Sequence, residues 1–132
     1  DPRFMQEEEF AIVRSLVPVA WADGEFADKE KEMLEALLEA YGANEEQKAQ
    51  LREYAKEKRT LDDIVLQDLS YGDRRVLLQN AVLLTFADGV QNAAESQLLK
   101  DLAVKLRIPE DEAKQVIAEA EARAKKHLNL LG

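Results

Sequence analysis

Apolar residues recur three and four positions apart along almost the whole chain, with polar residues filling the gaps. Phe10, Val13, Leu16, Val17 and Ala20 form one such stripe, which stops at Asp23-Gly24. That spacing keeps one face of a helix apolar, and glycine supplies the left-handed residue that ends it. Met33, Leu34, Leu37, Leu38 and Tyr41 make a second stripe, closed by Gly42. Asn44 stands where an N-cap would open a third helix, with Glu45 and Glu46 at its positive end and Leu51, Tyr54 and Ala55 on its apolar face. Thr60 followed by Asp63 predicts a short helix through about Leu69, and Ser70-Tyr71-Gly72-Asp73 predicts a turn. A helix to Phe86 follows, then a turn at Asp88-Gly89 and a helix carrying Leu98, Leu99, Leu102, Ala103 and Leu106. A last helix, with Pro109 in its first turn, runs towards His127. The pattern predicts an all-α fold of about seven helices.

The same unit is written twice. Residues 16–47 slide onto 81–112 without a gap, matching Val17, Ala22, Asp23, Gly24, Glu30, Leu34, Leu37 and Glu45 identically. Trp21 meets Phe86 and Met33 meets Leu98. Self-similarity at a fixed shift reports a duplicated supersecondary unit. The expectation is one compact domain over residues 1–132, with pseudo-twofold-related repeats at about 10–57 and 73–125.

Composition narrows the chemistry. At 132 residues the chain can bury a core unaided, and with no cysteine it can hold no disulfide, thiolate nucleophile or zinc–thiolate site. No apolar run approaches the ~20 residues of a spanning helix, so direct membrane insertion is not expected and a cytoplasmic location is. The net charge is −9, and it is lopsided: residues 1–66 carry 17 acids and 9 bases, residues 67–132 carry 10 and 9. Phosphate binding rests on clustered Lys and Arg, so this balance argues against nucleic acid, and no nucleic-acid partner is expected. An acidic first half suits a cation or a basic protein surface.

The repeated Asp-Gly…Glu pattern is the one candidate for chemistry. Glu30 and Glu95 fall in the first turn of a helix, where a carboxylate caps the helix start; Asn92 with Glu95 has capping-box spacing, whereas Ala27 offers Glu30 only half of that device. The other reading is a divalent cation, Ca²⁺ or Mg²⁺, held by Asp23, Glu30, Asp88 and Glu95 converging from both copies. An ordinary EF-hand is excluded, because Val19 and Trp21, and then Leu84 and Phe86, occupy the first and third ligand positions. Of the four acids, Asp23 and Asp88 need the most explanation, since a carboxylate at a helix C-terminus opposes the helix dipole. The single histidine, His127, excludes a paired Glu-x-x-His di-iron bundle. No phosphate-binding glycine loop is present, and a metal-assisted hydrolase on the carboxylates is a distant alternative.

Paired Ala-Asp-Gly…Glu segments, each leading into a Leu-rich helix and an acidic helix start, resemble the TerB-like domain of bacterial tellurite-resistance proteins. A similar domain forms the N-terminal part of a membrane-anchored DnaJ-like co-chaperone. The resemblance spans residues from about 5 to 125. It implies an all-helical domain with internal pseudo-twofold symmetry, a non-enzymatic stress-response or scaffold role, and metal binding at Asp23, Glu30, Asp88 and Glu95. Beside it stands a plain structural or protein-interaction domain, in which the acids are caps and the acidic first half docks a partner protein.

Overall fold

Side-chain oxygens serve the orphan N–H groups at the starts of α-helices in this protein, and three of those helices run out into a left-handed residue, at Gly24, Gly42 and Arg107. The computed structural model describes residues 4–24, 26–86 and 91–131, with side chains as far as residue 127. Among these, six α-helices follow in order: α1 Glu7–Ala22, α2 Asp28–Tyr41, α3 Glu45–Ala55, α4 Tyr71–Thr85, α5 Ala93–Lys105 and α6 Glu110–Leu131. Strands are absent from the described residues. Asn44 caps α3, accepting from the Gln47 N–H at 2.8 Å, and Asn92 caps α5 in the same way from Glu95 at 2.9 Å.

Two stretches differ from the sequence expectation. In place of a short helix over 60–69, two single 3₁₀ turns stand at Leu61–Asp63 and Leu66–Asp68. Between them Ile64 adopts an extended conformation (φ −72°, ψ 124°) and is buried, as is Leu69. The β-branched pair Ile64-Val65 favours that extended geometry, and it sends the apolar side chains into the core at a spacing no helix would give. Ser70-Tyr71-Gly72-Asp73 is not a free turn but the start of α4. The Ser70 hydroxyl accepts from the Asp73 N–H at 3.1 Å and the Asp73 carboxylate accepts from the Ser70 N–H at 3.2 Å, a closed capping box.

Helices α1 and α4 lie at the centre. They pack against each other, with α2, α3 and α5 against α1, and α5 and α6 against α4. Val13, Leu16 and Val17 of α1 and Leu77, Leu78 and Val82 of α4 are fully buried between them. Helix α1 accommodates Pro18 in its interior, although a proline there forgoes one backbone hydrogen bond.

The ends of α2 and α5 match closely at the 65-residue shift. Ala43 donates to the Leu38 carbonyl at 2.9 Å and Ile108 to the Ala103 carbonyl at 3.1 Å, each across a left-handed residue. That residue is Gly42 (φ 79°) after α2 but Arg107 (φ 58°) after α5. Only glycine takes this conformation without a Cβ clash. Gly42→Ala is therefore expected to destabilise the protein by roughly 1–2 kcal/mol, whereas Arg107→Gly should stabilise it by about 0.5–1 kcal/mol. Urea melts of the two variants should shift in opposite directions, and shifts of the same sign would refute the account.

Candidate functional site

The repeated Glu residues are caps. In α2 the Glu30 Oε1 accepts from the Ala27 N–H at 2.9 Å, and in α5 the Glu95 Oε1 accepts from the Asn92 N–H at 2.9 Å. Both side chains are buried, 7% and 4% exposed. A carboxylate so placed satisfies an orphan donor and lies on the positive end of the helix dipole. The two turns differ as their sequences require: Asn92 returns the bond to Glu95, and Ala27 has no acceptor to return to Glu30.

Asp23 is exposed at the C-terminus of α1. Next to it Gly24 adopts φ 97° and donates to the Trp21 carbonyl at 2.9 Å, so the glycine makes the reversal. Trp21 ties this corner to α3: its Nε1–H donates to the Ala55 carbonyl at 3.0 Å, and its ring meets Phe26 edge-on at 5.6 Å. The aromatic pair that the sequence singles out at Trp21 and Phe86 thus belongs to packing in its first member; Phe86 is also buried. Asp88 and Gly89 lie outside the described residues. Among the described residues, no three acidic or histidine side chains gather as a metal site requires.

A different acidic site emerges on the first half. Helices α1 and α3 and the two 3₁₀ turns border a groove of about 560 Å³. Glu7 and Glu8 enter it from the start of α1, Asp63 and Asp68 from the 3₁₀ turns. Asp63 accepts from the Thr60 N–H at 2.9 Å, and none of the four carboxylates has an ion-pair partner among the described residues. One guanidinium lines the groove, that of Arg14, and it lies 4.4 Å from the centre of the Tyr54 ring. Arg59 approaches the same ring at 3.9 Å. The groove is thus rich in negative charge and demonstrably able to hold a guanidinium against an aromatic face. Its acids come from segments far apart in sequence, so charge counting finds the acidic half but not the groove.

On the facing sides of α2 and α3, by contrast, acids are paired with bases. Across the α2–α3 groove, Glu35 binds Arg52 at 2.7 Å and Glu39 binds Lys48 at 2.7 Å. The Lys48 hydrogen bond and charge hold the Glu39 carboxyl below the usual carboxylate range, and the same bond raises Lys48.

No protein-family model, no curated protein and no solved structure matches this chain. Among the described residues no helix is long and apolar enough to cross a membrane.

Proposed function

We propose that this protein is a non-enzymatic binding module of the TerB-like type, built from two copies of one helical unit, and that its acidic groove receives a basic segment of a partner protein. One observation carries the binding site: Glu7, Glu8, Asp63 and Asp68 all line a single groove, and Arg14 is the one cation among its lining residues. Four acids against one base along the groove attract an incoming Lys- or Arg-rich segment, whose guanidinium groups find bidentate acceptors there. Complementary charge also speeds encounter and rejects acidic competitors. Duplication is supported by the matching caps at Glu30 and Glu95 and by the matching left-handed exits at Gly42 and Arg107. The stress-response role, including any part in tellurite resistance, rests on the resemblance of the Ala-Asp-Gly…Glu segments.

Fluorescence anisotropy with a labelled Arg/Lys-rich peptide tests the groove. Binding is expected to weaken steeply as salt rises, because exposed charges are screened over about 8–10 Å at physiological ionic strength. The triple reversal Glu7→Lys, Glu8→Lys, Asp68→Lys should weaken it at least ~10-fold, the effect of losing about 1.4 kcal/mol. Reversing Asp101 and Glu119, exposed on α5 and α6, should leave it unchanged. Equal losses from both sets would show only the pull of net charge and would reject the groove.

Cation binding by Asp23, Glu30, Asp88 and Glu95 is a separate proposal. Its support is the sequence: Asp, Gly and Glu recur at the 65-residue shift although residues 25–29 and 90–94 between them share nothing.

A further inference from the structure

The two halves differ most where they should be most alike. Helices α2 and α3 are clasped by two ion pairs, Glu35 with Arg52 and Glu39 with Lys48. At the equivalent positions of α5 and α6 stand Lys100 with Ile117 and Val104 with Ala113. Neither pair can form a salt bridge. The α5–α6 groove is therefore unclasped, about 600 Å³ in volume, and floored by Leu99, Ala103 and Ala113. Val104, on its lip, is 76% exposed. A groove that has exchanged charge pairs for apolar side chains presents a face suited to being covered.

The charges along α6 say what covers it. On the stripe beside the groove the order is Glu110, Lys114, Ile117 and Ala118, Glu121, Lys125. An identical helix laid antiparallel and centred between Ile117 and Ala118 sets Lys114 against Glu121 and Glu110 against Lys125, twice over. Laid parallel in register, the same stripe sets like against like. Among the described residues Glu110 and Lys114 pair along the helix at 3.3 Å, while Glu121, Lys125 and Lys100 have no ion-pair partner. The central Ala118 and the neighbouring Ala122 are exposed and small, which lets two helices approach closely. Self-complementarity about a point is the requirement of a twofold interface. The face also lies in the half that carries 10 acids and 9 bases, so two copies meeting there avoid the repulsion of the acidic first half.

We propose that a second copy of this chain docks on the α5–α6 face, its α6 antiparallel to α6 of the first. Sedimentation equilibrium of the full chain at low ionic strength reads this directly. Wild type should pass from 14.9 kDa to twice that mass as concentration rises. Lys114→Glu alone and Glu121→Lys alone each place like charges in contact and should weaken association at least ~10-fold. An equimolar mixture of those two variants restores both contacts and should dimerise, as should the double variant with itself. Ile117→Lys should remain monomeric. Because Lys114 is exposed and Glu121 lies at the groove's edge, unchanged helical circular dichroism is expected for the charge reversals. A wild type that stays monomeric up to ~1 mM, where even a millimolar complex is half formed, overturns the proposal. So does a dimer indifferent to Ile117→Lys, or a mixture of folded charge reversals that fails to associate.

Discussion

Leu78→Ala is expected to cost about 2–5 kcal/mol, the range for emptying a leucine-sized site in a packed core. Leu78 sits on α4, fully buried, on the helix that packs against α1 on one side and α6 on another. With α1 and α6 both packed against α4, the site is enclosed by helices from both halves and has little freedom to collapse. Against a total stability of about 5–15 kcal/mol, this single change removes a large share. Urea unfolding should show a lowered midpoint with an unchanged slope, since the surface exposed on unfolding stays nearly the same. Leu83→Ala is the control. It makes the same chemical change on the same helix, but Leu83 is 37% exposed, and a surface substitution shifts stability by about 0.5 kcal/mol or less. Comparable losses at both positions would mean that α4 is not the central helix described here.

That contrast marks what could be read in the chain beforehand. Helical periodicity and capping chemistry are local, and they locate most of the architecture: Asn44, Gly42 and the Asn92–Glu95 pair stand where their chemistry predicts. Local rules fail between Thr60 and Asp73. There Ile64 and Leu69 reach the core from an extended segment whose spacing imitates no regular element, and Gly72 suggests a turn inside what is a capped helix. Arg107 carries no local mark of a left-handed residue. Only its alignment with Gly42 places it there.

The sites follow the same division. Glu30 and Glu95 are legible as helix-start acids because the cap they make is three residues long. The acidic groove is not, since Glu7 and Asp68 come to line one groove only when the 3₁₀ turns lie beside α1. The α5–α6 face has an intermediate status. Its apolar substitutions are visible in the repeat alignment, but their meaning depends on Glu35 and Arg52 meeting across two helices. The alignment at the 65-residue shift reports where residues agree; the tertiary contact of Glu35 with Arg52 shows what their counterparts Lys100 and Ile117 cannot make.

Glu30→Ala is expected to lower stability by about 1–3 kcal/mol, since it leaves the Ala27 N–H without its acceptor in a partly buried place. At roughly 3–5 °C per kcal/mol for a domain of this size, Tm should fall by about 3–15 °C. Glu30→Gln keeps an oxygen in the same position and gives up the favourable charge at the helix start, worth about 0.3–1 kcal/mol. Glu95→Ala should cost less than Glu30→Ala, because Asn92 still accepts from the residue-95 N–H and α5 keeps half its box. The order Glu30→Ala, then Glu95→Ala, then either Gln variant follows from capping alone. Cation binding predicts another order, since a ligand role needs the charge and makes Gln as damaging as Ala when the ion is present. Melting curves with millimolar Ca²⁺ and then Mg²⁺ separate the two. A four-carboxylate site shows as a rise in wild-type Tm that Glu30→Gln abolishes and that Asp23→Asn with Asp88→Asn also abolishes. Caps alone leave every curve where the buffer put it.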